Sequence, residues 1–480
     1  MTNYAPSPSG ILGRGLVWST VGSFALVFLS AFETLAVTTV MPVVSAELGG
    51  AALYALAFAG PMATSVVGMV AAGTWSDRSG PTGPLYAAVA TFVAGLFVCG
   101  FAGGMETLVL GRLVQGLGGG AVTVALYVLV ARLYPPVLHA RIFAAFAAAW
   151  VIPSLIGPFA AGIVADTIGW RWVFLGVVVL VAAATLMVRP ALAALPRPAA
   201  GRAGAVAGAG GPGAEHLRAG AGRRLAAARL AWSCVAAAAV LGLDRLGAVP
   251  LTGPFLAVAA AAVALWAVRP LVPRGTLVAA RGLPSVVLVR GLVSAGFMGA
   301  EVYVPYLLTD NYGFPPALAG LGLTGSALTW AAASAVQGRL GDRLPHVVAM
   351  RVGAATVAAS IAVVLAASAA HLPGAVVVAG WTLAGAGMGL VYPRLSVMTL
   401  SLSTPANQGF NSSALSISDA LGAALALAAT GLAFAAFAPA GLPFPAVFAL
   451  TLFCAALAFV LSGRVVGPAP RGAATSRSAS

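Results

Sequence analysis

The sequence predicts an all-α integral membrane protein: two six-helix bundles with two further helices between them, fourteen transmembrane helices in all. Three observations carry that prediction. Of 480 residues, 60% are hydrophobic and only 8% charged, at a mean hydropathy of +1.00. A soluble domain carries roughly 25% charged residues, and 11 acids with 25 bases cannot coat a water-facing globule of this length. Apolar stretches of about 20 residues, the length that crosses a bilayer core, recur along the whole chain. Finally, the hexamer Gly73-Thr74-Trp75-Ser76-Asp77-Arg78 returns 265 residues later as Gly338-Arg339-Leu340-Gly341-Asp342-Arg343, with G-x-x-x-D-R kept. Soluble enzyme, nucleic-acid binder and disordered scaffold are excluded together.

Taken in order, the first six spans are expected near 17–42, 51–73, 83–104, 107–131, 142–165 and 171–189. The first apolar run is long and leads straight into further spans, so it reads as a span and not as a removable signal. Residues 191–225 turn rich in Ala, Gly, Pro and Arg and predict a flexible linker. Two spans follow near 226–246 and 250–268, outside the repeat, and are expected only to fill space between the halves. The last six lie near 282–308, 317–337, 349–369, 375–399, 409–437 and 445–463. The units are thus a first bundle over 1–190, the linker 191–225, two additional helices over 226–270, and a second bundle with its tail over 271–480.

Arginine placement sets the orientation. All 25 bases are arginine. With the N-terminus inside, all but five of them fall on the cytoplasmic side, which is the expected bias. Arg171 and Arg245 fall outside, and Arg112, Arg290 and Arg394 lie within spans. Both termini are therefore expected to be cytoplasmic, and the net charge of +14 marks topology instead of a nucleic-acid partner. Arg290 and Arg394 stand near inner span ends, where snorkelling to the interface would account for them.

Of the eleven acids, Glu33, Glu301 and Asp419 remain inside spans. A carboxyl group taken out of water favours its protonated form, and acids in spans mark ion or proton pathways. Arg112, with Gln115 close by, is costly within a span unless paired or wetted. The fourth span of each half also repeats a glycine pattern, Gly116, Gly118 and Gly120 against Gly385, Gly387 and Gly389, which suits two parallel repeats rocking around a central cavity. Tyr127, Trp150, Tyr303, Tyr306, Trp330, Trp381, Tyr392 and Asn411 could line such a cavity. Cys99, Cys234 and Cys454 show no paired spacing, four histidines show no metal spacing, and a chain without lysine has no P-loop. No enzyme motif is present.

These residues resemble the major facilitator superfamily, and within it the 14-span drug:proton antiporters. Gly73-x-x-x-Asp77-Arg78-x-Gly80 is similar to the family's loop between spans 2 and 3, although Pro81-Thr82-Gly83-Pro84 replace its usual basic residues. The resemblance implies that Asp77, Arg78 and their duplicates Asp342 and Arg343 gate the halves. Leu110-Gly111-Arg112-Leu113-Val114-Gln115-Gly116 resembles the fourth-span motif linked to proton movement. Pro153-Ser154-Leu155-Ile156-Gly157-Pro158-Phe159-Ala160-Ala161-Gly162 resembles the antiporter motif of exporters, with Pro153 and Ala161 standing where glycines are usual. Glu33 occupies the place where these antiporters usually carry aspartate.

The resemblance implies a proton-coupled exporter of lipophilic, often cationic, small molecules by alternating access, of the kind associated with multidrug efflux and antibiotic resistance. Glu33, Asp419, Arg112 and Glu301 would serve proton coupling and substrate. A bacterial inner membrane is expected, with substrate, protons and lipid as partners, no cofactor beyond the proton gradient, no nucleic acid, and a monomer. A dedicated exporter of one metabolite, antibiotic or lipid remains an alternative, as does a non-transporting membrane sensor.

Overall fold

The structure, a computed structural model, describes residues 10–13, 15–49, 53–195, 212–247, 252–314 and 321–466. Hydrocarbon offers no water to satisfy backbone N–H and C=O groups, so apolar stretches close their hydrogen bonds internally as helices. The first half comprises α1 (Val17–Glu47), α2 (Tyr54–Ser79), α3 (Thr82–Gly100), α4 (Met105–Leu133), α5 (Pro136–Ile168) and α6 (Arg171–Ala194). Next come α7 (Pro212–Gly247) and α8 (Gly253–Val268). The second half comprises α9 (Leu283–Glu301) with its continuation α10 (Tyr303–Asp310), then α11 (Leu321–Leu340), α12 (His346–Ala370), α13 (Gly374–Ser401), α14 (Gln408–Phe437) and α15 (Pro443–Leu461).

A helix stands at each of the fourteen expected stretches. Among the described residues, 12 spans are long and apolar enough to cross a membrane, with α9 and α10 counted as one. The other two fall short for different reasons: α8 has only 16 residues, and α11 is diluted by glycine, serine, threonine and glutamine. Each half has its own core. Leu85, Leu96, Leu108, Leu126 and Phe174 anchor the first; Phe297, Trp381, Met388 and Phe448 anchor the second. Large apolar side chains such as Val179, Phe255, Phe453 and Val460 are left exposed on the outside, as a lipid-facing surface requires.

The glycine repeat has a packing cause. On α4, Gly116 and Gly120 lie against the backbone of Pro61 and Ser65 on α2, while Gly118 lies against Phe92 on α3. On α13, Gly385 and Gly389 lie in the same way against Ser326 and Trp330 on α11, while Gly387 lies against Val357 on α12. The contacted positions keep the 265-residue spacing of the loop hexamers. A Cβ at any of the six would run into a neighbouring helix, so small residues let the helices approach closely.

Two expectations need correction. The flexible linker drawn over 191–225 is helical from Pro212 onward; proline suits a first helical turn, and the Ala, Arg, Glu and Leu that follow are strong helix formers. Residues 196–211 of that linker lie outside the described residues. The α7–α8 pair also does more than fill space. It packs across the seam between the halves, where Ala236 of α7 and Ala264 of α8 share one core with Val66 and Val70 of α2 and Ala414 and Ile417 of α14. An edge-to-face contact between Trp232 and Trp266, with centroids 4.5 Å apart, holds the pair together.

Candidate functional site

Two buried ion pairs stand inside the bundles, one in each half. In the first, α4 carries Arg112 toward α1. Its Nη1 donates to Glu33 Oε1 at 2.5 Å and to Gln115 Oε1 at 2.7 Å, and its Nε donates to the Ala57 carbonyl on α2 at 3.1 Å. Gln115 lies one turn along the same helix, which is why its amide reaches the same guanidinium. Glu33, Arg112 and Gln115 are 3%, 5% and 2% exposed. Three residues singled out separately in the sequence thus form one sealed cluster.

In the second half, Asp419 of α14 meets Arg290 of α9. Arg290 Nη2 donates to Asp419 Oδ2 at 3.1 Å, and Nε lies 3.1 Å from Oδ1. The Tyr392 hydroxyl on α13 donates to Asp419 Oδ1 at 2.7 Å, while the Arg290 guanidinium stacks 3.4 Å from the Tyr392 ring centroid. Trp330 packs against Tyr392 and against Phe297. Arg290 is therefore not a snorkelling residue. It is buried and paired, at a depth of two helical turns from the start of α9. That depth, with an unpartnered acid elsewhere in the half, was the signal available in the sequence. Arg394 is buried as well; it donates to the Gly341 carbonyl and so ties α13 to the end of α11.

At the end of the bundle where most arginines gather, the halves are latched. The carboxylate of Asp77, in the last turn of α2, accepts the backbone N–H of Gly409 at 2.6 Å and of Phe410 at 2.9 Å. Those groups are free amides of the first turn of α14, where the helix dipole favours an anion. Gly73 lets the two helices meet: a Cβ there would stand 2.6 Å from the Gly409 carbonyl. Arg132 Nη2 bridges the Ser76 and Pro405 carbonyls at 3.3 Å each. From α7, Arg229 lies over the Phe410 ring at 4.0 Å. The duplicate loop is placed at the matching seam, where Gly338 of α11 lies against Ala144 of α5. Arg78 and Arg343 are exposed, and the Asp342 side chain lies outside the described residues.

The remaining candidates separate from these clusters. Glu301 closes α9 beside the break at Val302 and makes no hydrogen bond or ion pair with a described residue. Tyr303 packs on Phe434, and Tyr127 packs against both cores while contacting Phe143. Trp150 is exposed. Asn411 spends its amide on Ser403 Oγ and Asn407 Oδ1 and so serves the turn into α14 rather than a cavity. In α5, helix continues through Pro153 and Pro158, whose own side chain lies outside the described ones. Among the described residues, Gly157 makes ordinary contact with Phe32 and Leu35 of α1, and no atom lies within contact of a Cβ at Gly162. At the opposite end, Glu47 accepts from Trp170 Nε1 at 2.8 Å and Arg171 Nη1 at 2.9 Å. Those hydrogen bonds, that from Arg171 foremost, hold its carboxyl below the ordinary value of 4.5.

Two helical halves related by a repeat, each with an ion pair in its interior and latched together at one end, define a class of multi-pass membrane protein. The chain belongs to the Major Facilitator Superfamily, whose family model matches residues 23–300. It is 28% identical over 438 residues, 87% of each chain, to a "Probable multidrug-efflux transporter" of Mycobacterium tuberculosis. It is 31% identical over 148 residues to "Multidrug resistance protein 3" of Bacillus subtilis, a match covering 31% of this chain and 29% of that one. The human organic anion transporter MFSD10 (TETRAN) shares the fold at a TM-score of 0.66 and 17% identity, over 93% of this chain and 99% of that one.

Proposed function

We propose that the chain is a proton-coupled exporter of lipophilic small molecules, cations among them, working by alternating access in a bacterial inner membrane with both termini cytoplasmic. The observation that carries this reading is the sealed contact of Glu33 with Arg112 and Gln115. A carboxylate held by a guanidinium inside a span has three ways to satisfy its charge: the arginine, a proton or a cationic substrate. Protonation removes the charge that Arg112 holds and frees the pair to rearrange. Because proton and substrate compete for one carboxylate, binding of either releases the other, which is antiport. Asp419 offers a second such carboxylate, and Glu301 a third.

The arginine-rich end is the cytoplasmic side in this reading, and the Asp77 latch keeps it shut. Asp77 with Arg78, and Asp342 with Arg343, gate the passage between states. Inward movement of one proton contributes about 2.3 kcal/mol per 100 mV, enough to drive accumulation of substrate outside. The exporter branch is supported by the names of the relatives and by the Gly157–Pro158 motif.

The test is efflux of a fluorescent lipophilic cation from cells, with and without a protonophore, for the parent protein and Glu33→Gln. Dye should leave against its gradient only while the proton gradient stands, and Glu33→Gln should abolish that active component. Efflux indifferent to the protonophore, or a fully active Glu33→Gln, overturns the coupling. Failure to move any of a broad compound panel would instead indicate a dedicated exporter.

A further inference from the structure

Beside α8 the surface carries a groove that neither ion pair uses. It encloses about 300 Å³ between α8, α9, α14 and α15, with Leu265, Leu288, Leu292, Leu425, Ala429 and Cys454 among its walls. That volume is at the small end of ligand pockets, roughly 300–1,000 Å³; its lining is mostly aliphatic, and the hydroxyls of Thr276, Ser418 and Thr451 in it donate to backbone carbonyls. The groove continues past Val268 and Val272 to Thr276 and Leu277, which belong to the loop joining α8 to α9. Along that loop Arg269, Arg274 and Arg281 are all exposed. No acid occurs between Asp244 and Glu301, and none of the three arginines has an ion-pair partner among the described residues. Leu277 and Val278, between two of these arginines, are 41% and 75% exposed. Exposed apolar residues flanked by unpaired cations are the composition of a segment resting at the headgroup level of a bilayer.

We propose that this groove and loop form a binding site for an anionic glycerophospholipid of the leaflet at the arginine-rich end. One acyl chain fills the groove, and the phosphate headgroup is met by Arg274 and Arg281. The apolar wall and the cationic rim are each unremarkable in a membrane protein; their adjacency within one loop selects a ligand that is apolar at one end and anionic at the other. A transported lipophilic cation would satisfy the wall but be repelled by the rim. Most of the wall comes from α9, α14 and α15, while Leu265 and Val268 of α8 and the loop that follows close its remaining side. α8 and its loop thereby gain a task outside the repeat, seating a lipid against α14, the helix that carries both Asp419 and the amides of the latch. This inference stands independently of the transport reading.

Cys454 in the groove wall provides a native reporter. The experiment uses the full chain with exposed Cys234 replaced by serine, leaving Cys99 buried. It is reconstituted in phosphatidylcholine vesicles with and without phosphatidylglycerol and labelled with the uncharged reagent N-pyrenylmaleimide. Phosphatidylglycerol should slow labelling of Cys454 by roughly thirtyfold, the scale set by two arginines near an anionic headgroup. The double substitution Arg274→Gln/Arg281→Gln should remove that protection while leaving the rate in pure phosphatidylcholine unchanged. Labelling equal in the two lipids overturns the site, and so does protection that survives the double substitution. Retained phosphatidylglycerol adducts in native mass spectrometry give a second reading that does not depend on the thiol, and should fall in the same variant.

Discussion

The two halves solve the problem of a charge inside the membrane differently. In the first, Glu33 and Arg112 are closed off, their side chains 4% and 6% exposed, with Gln115 and the Ala57 carbonyl taking two further donors of the arginine. In the second, Arg290 is equally buried, at 8%, but the side chain of Asp419 is 28% exposed, and its further partner is the Tyr392 hydroxyl, a group that can rotate. A sealed pair can change only if the helices around it move, whereas a half-open pair can exchange a proton or ligand in place. On the alternating-access reading proposed above, the first half would hold a charge whose release requires the conformational step, and the second one that responds within a single conformation.

Removing one member of each pair tests this most severely. Arg112→Ala leaves Glu33 buried and unpaired, an expected loss of about 3–5 kcal/mol. Arg290→Ala should cost less, because Asp419 keeps the Tyr392 hydroxyl and is only partly buried. Thermal unfolding of the two purified variants checks the order, and a larger loss for Arg290→Ala would reverse the contrast. The double substitution Glu33→Gln/Arg112→Gln should recover most of the stability and, on the function proposed above, none of the active dye efflux.

The seams repeat the contrast at the level of backbone. Gly73 and Gly338 are repeat mates, yet a Cβ on Gly73 would stand 2.6 Å from a carbonyl of α14, while one on Gly338 would meet the Ala144 methyl at 3.1 Å with the Ala140 carbonyl no nearer than 3.5 Å. A carbonyl in a helix cannot retreat alone. Gly73→Ala should therefore open the arginine-rich end, seen as a longer spin-label distance between α2 and α14, and Gly338→Ala should leave the corresponding distance between α5 and α11 near that of the parent. Equal effects would show the two seams to be equivalent. A smaller effect is expected at Arg229, whose stacking on Phe410 contributes about 0.5–2 kcal/mol. Arg229→Ala should weaken the latch in the same distance measurement by less than Gly73→Ala does, with Arg229→Lys intermediate because its ammonium lacks a planar face.

Much of this was legible in the sequence because the membrane leaves few choices. Apolar length marked the helices, the repeated glycines of the fourth span marked the two halves, and the rarity of acids in spans made Glu33 and Asp419 visible. Partners were not legible. Arg290 sits near a span end in sequence, and only the packing of α9 on α14 shows that it faces Asp419. Arg229 lies in a helix with no counterpart in the repeat, so no pattern could connect it with Phe410. Asn411 failed as a cavity residue for a local reason: its polarity is consumed by the turn before its own helix. The α7 start was hidden by composition, since Gly and Pro signal a linker while the Ala and Arg between them favour a helix.

The mildest test concerns Glu47, the acid at the opposite end from the latch, where α1 is tied to α6. Its carboxyl is held below 4.5 by Arg171 first and Trp170 second. A carboxyl whose folded value is depressed contributes stability that is present above its ordinary value and lost as the pH falls through the depressed one. Glu47→Gln removes that contribution at every pH. The difference in thermal midpoint between parent and variant should therefore be largest near neutrality and shrink once the pH drops below 4.5, and it should stay small throughout because the pair is exposed and screened by salt. The Glu33–Arg112 pair, being buried, should show no such sensitivity to salt: raising ionic strength at neutral pH should narrow the gap for Glu47→Gln and leave that for Arg112→Ala unchanged. Equal salt dependence for both would mean that water reaches Glu33 as readily as Glu47, and the sealed first-half pair would have to be abandoned.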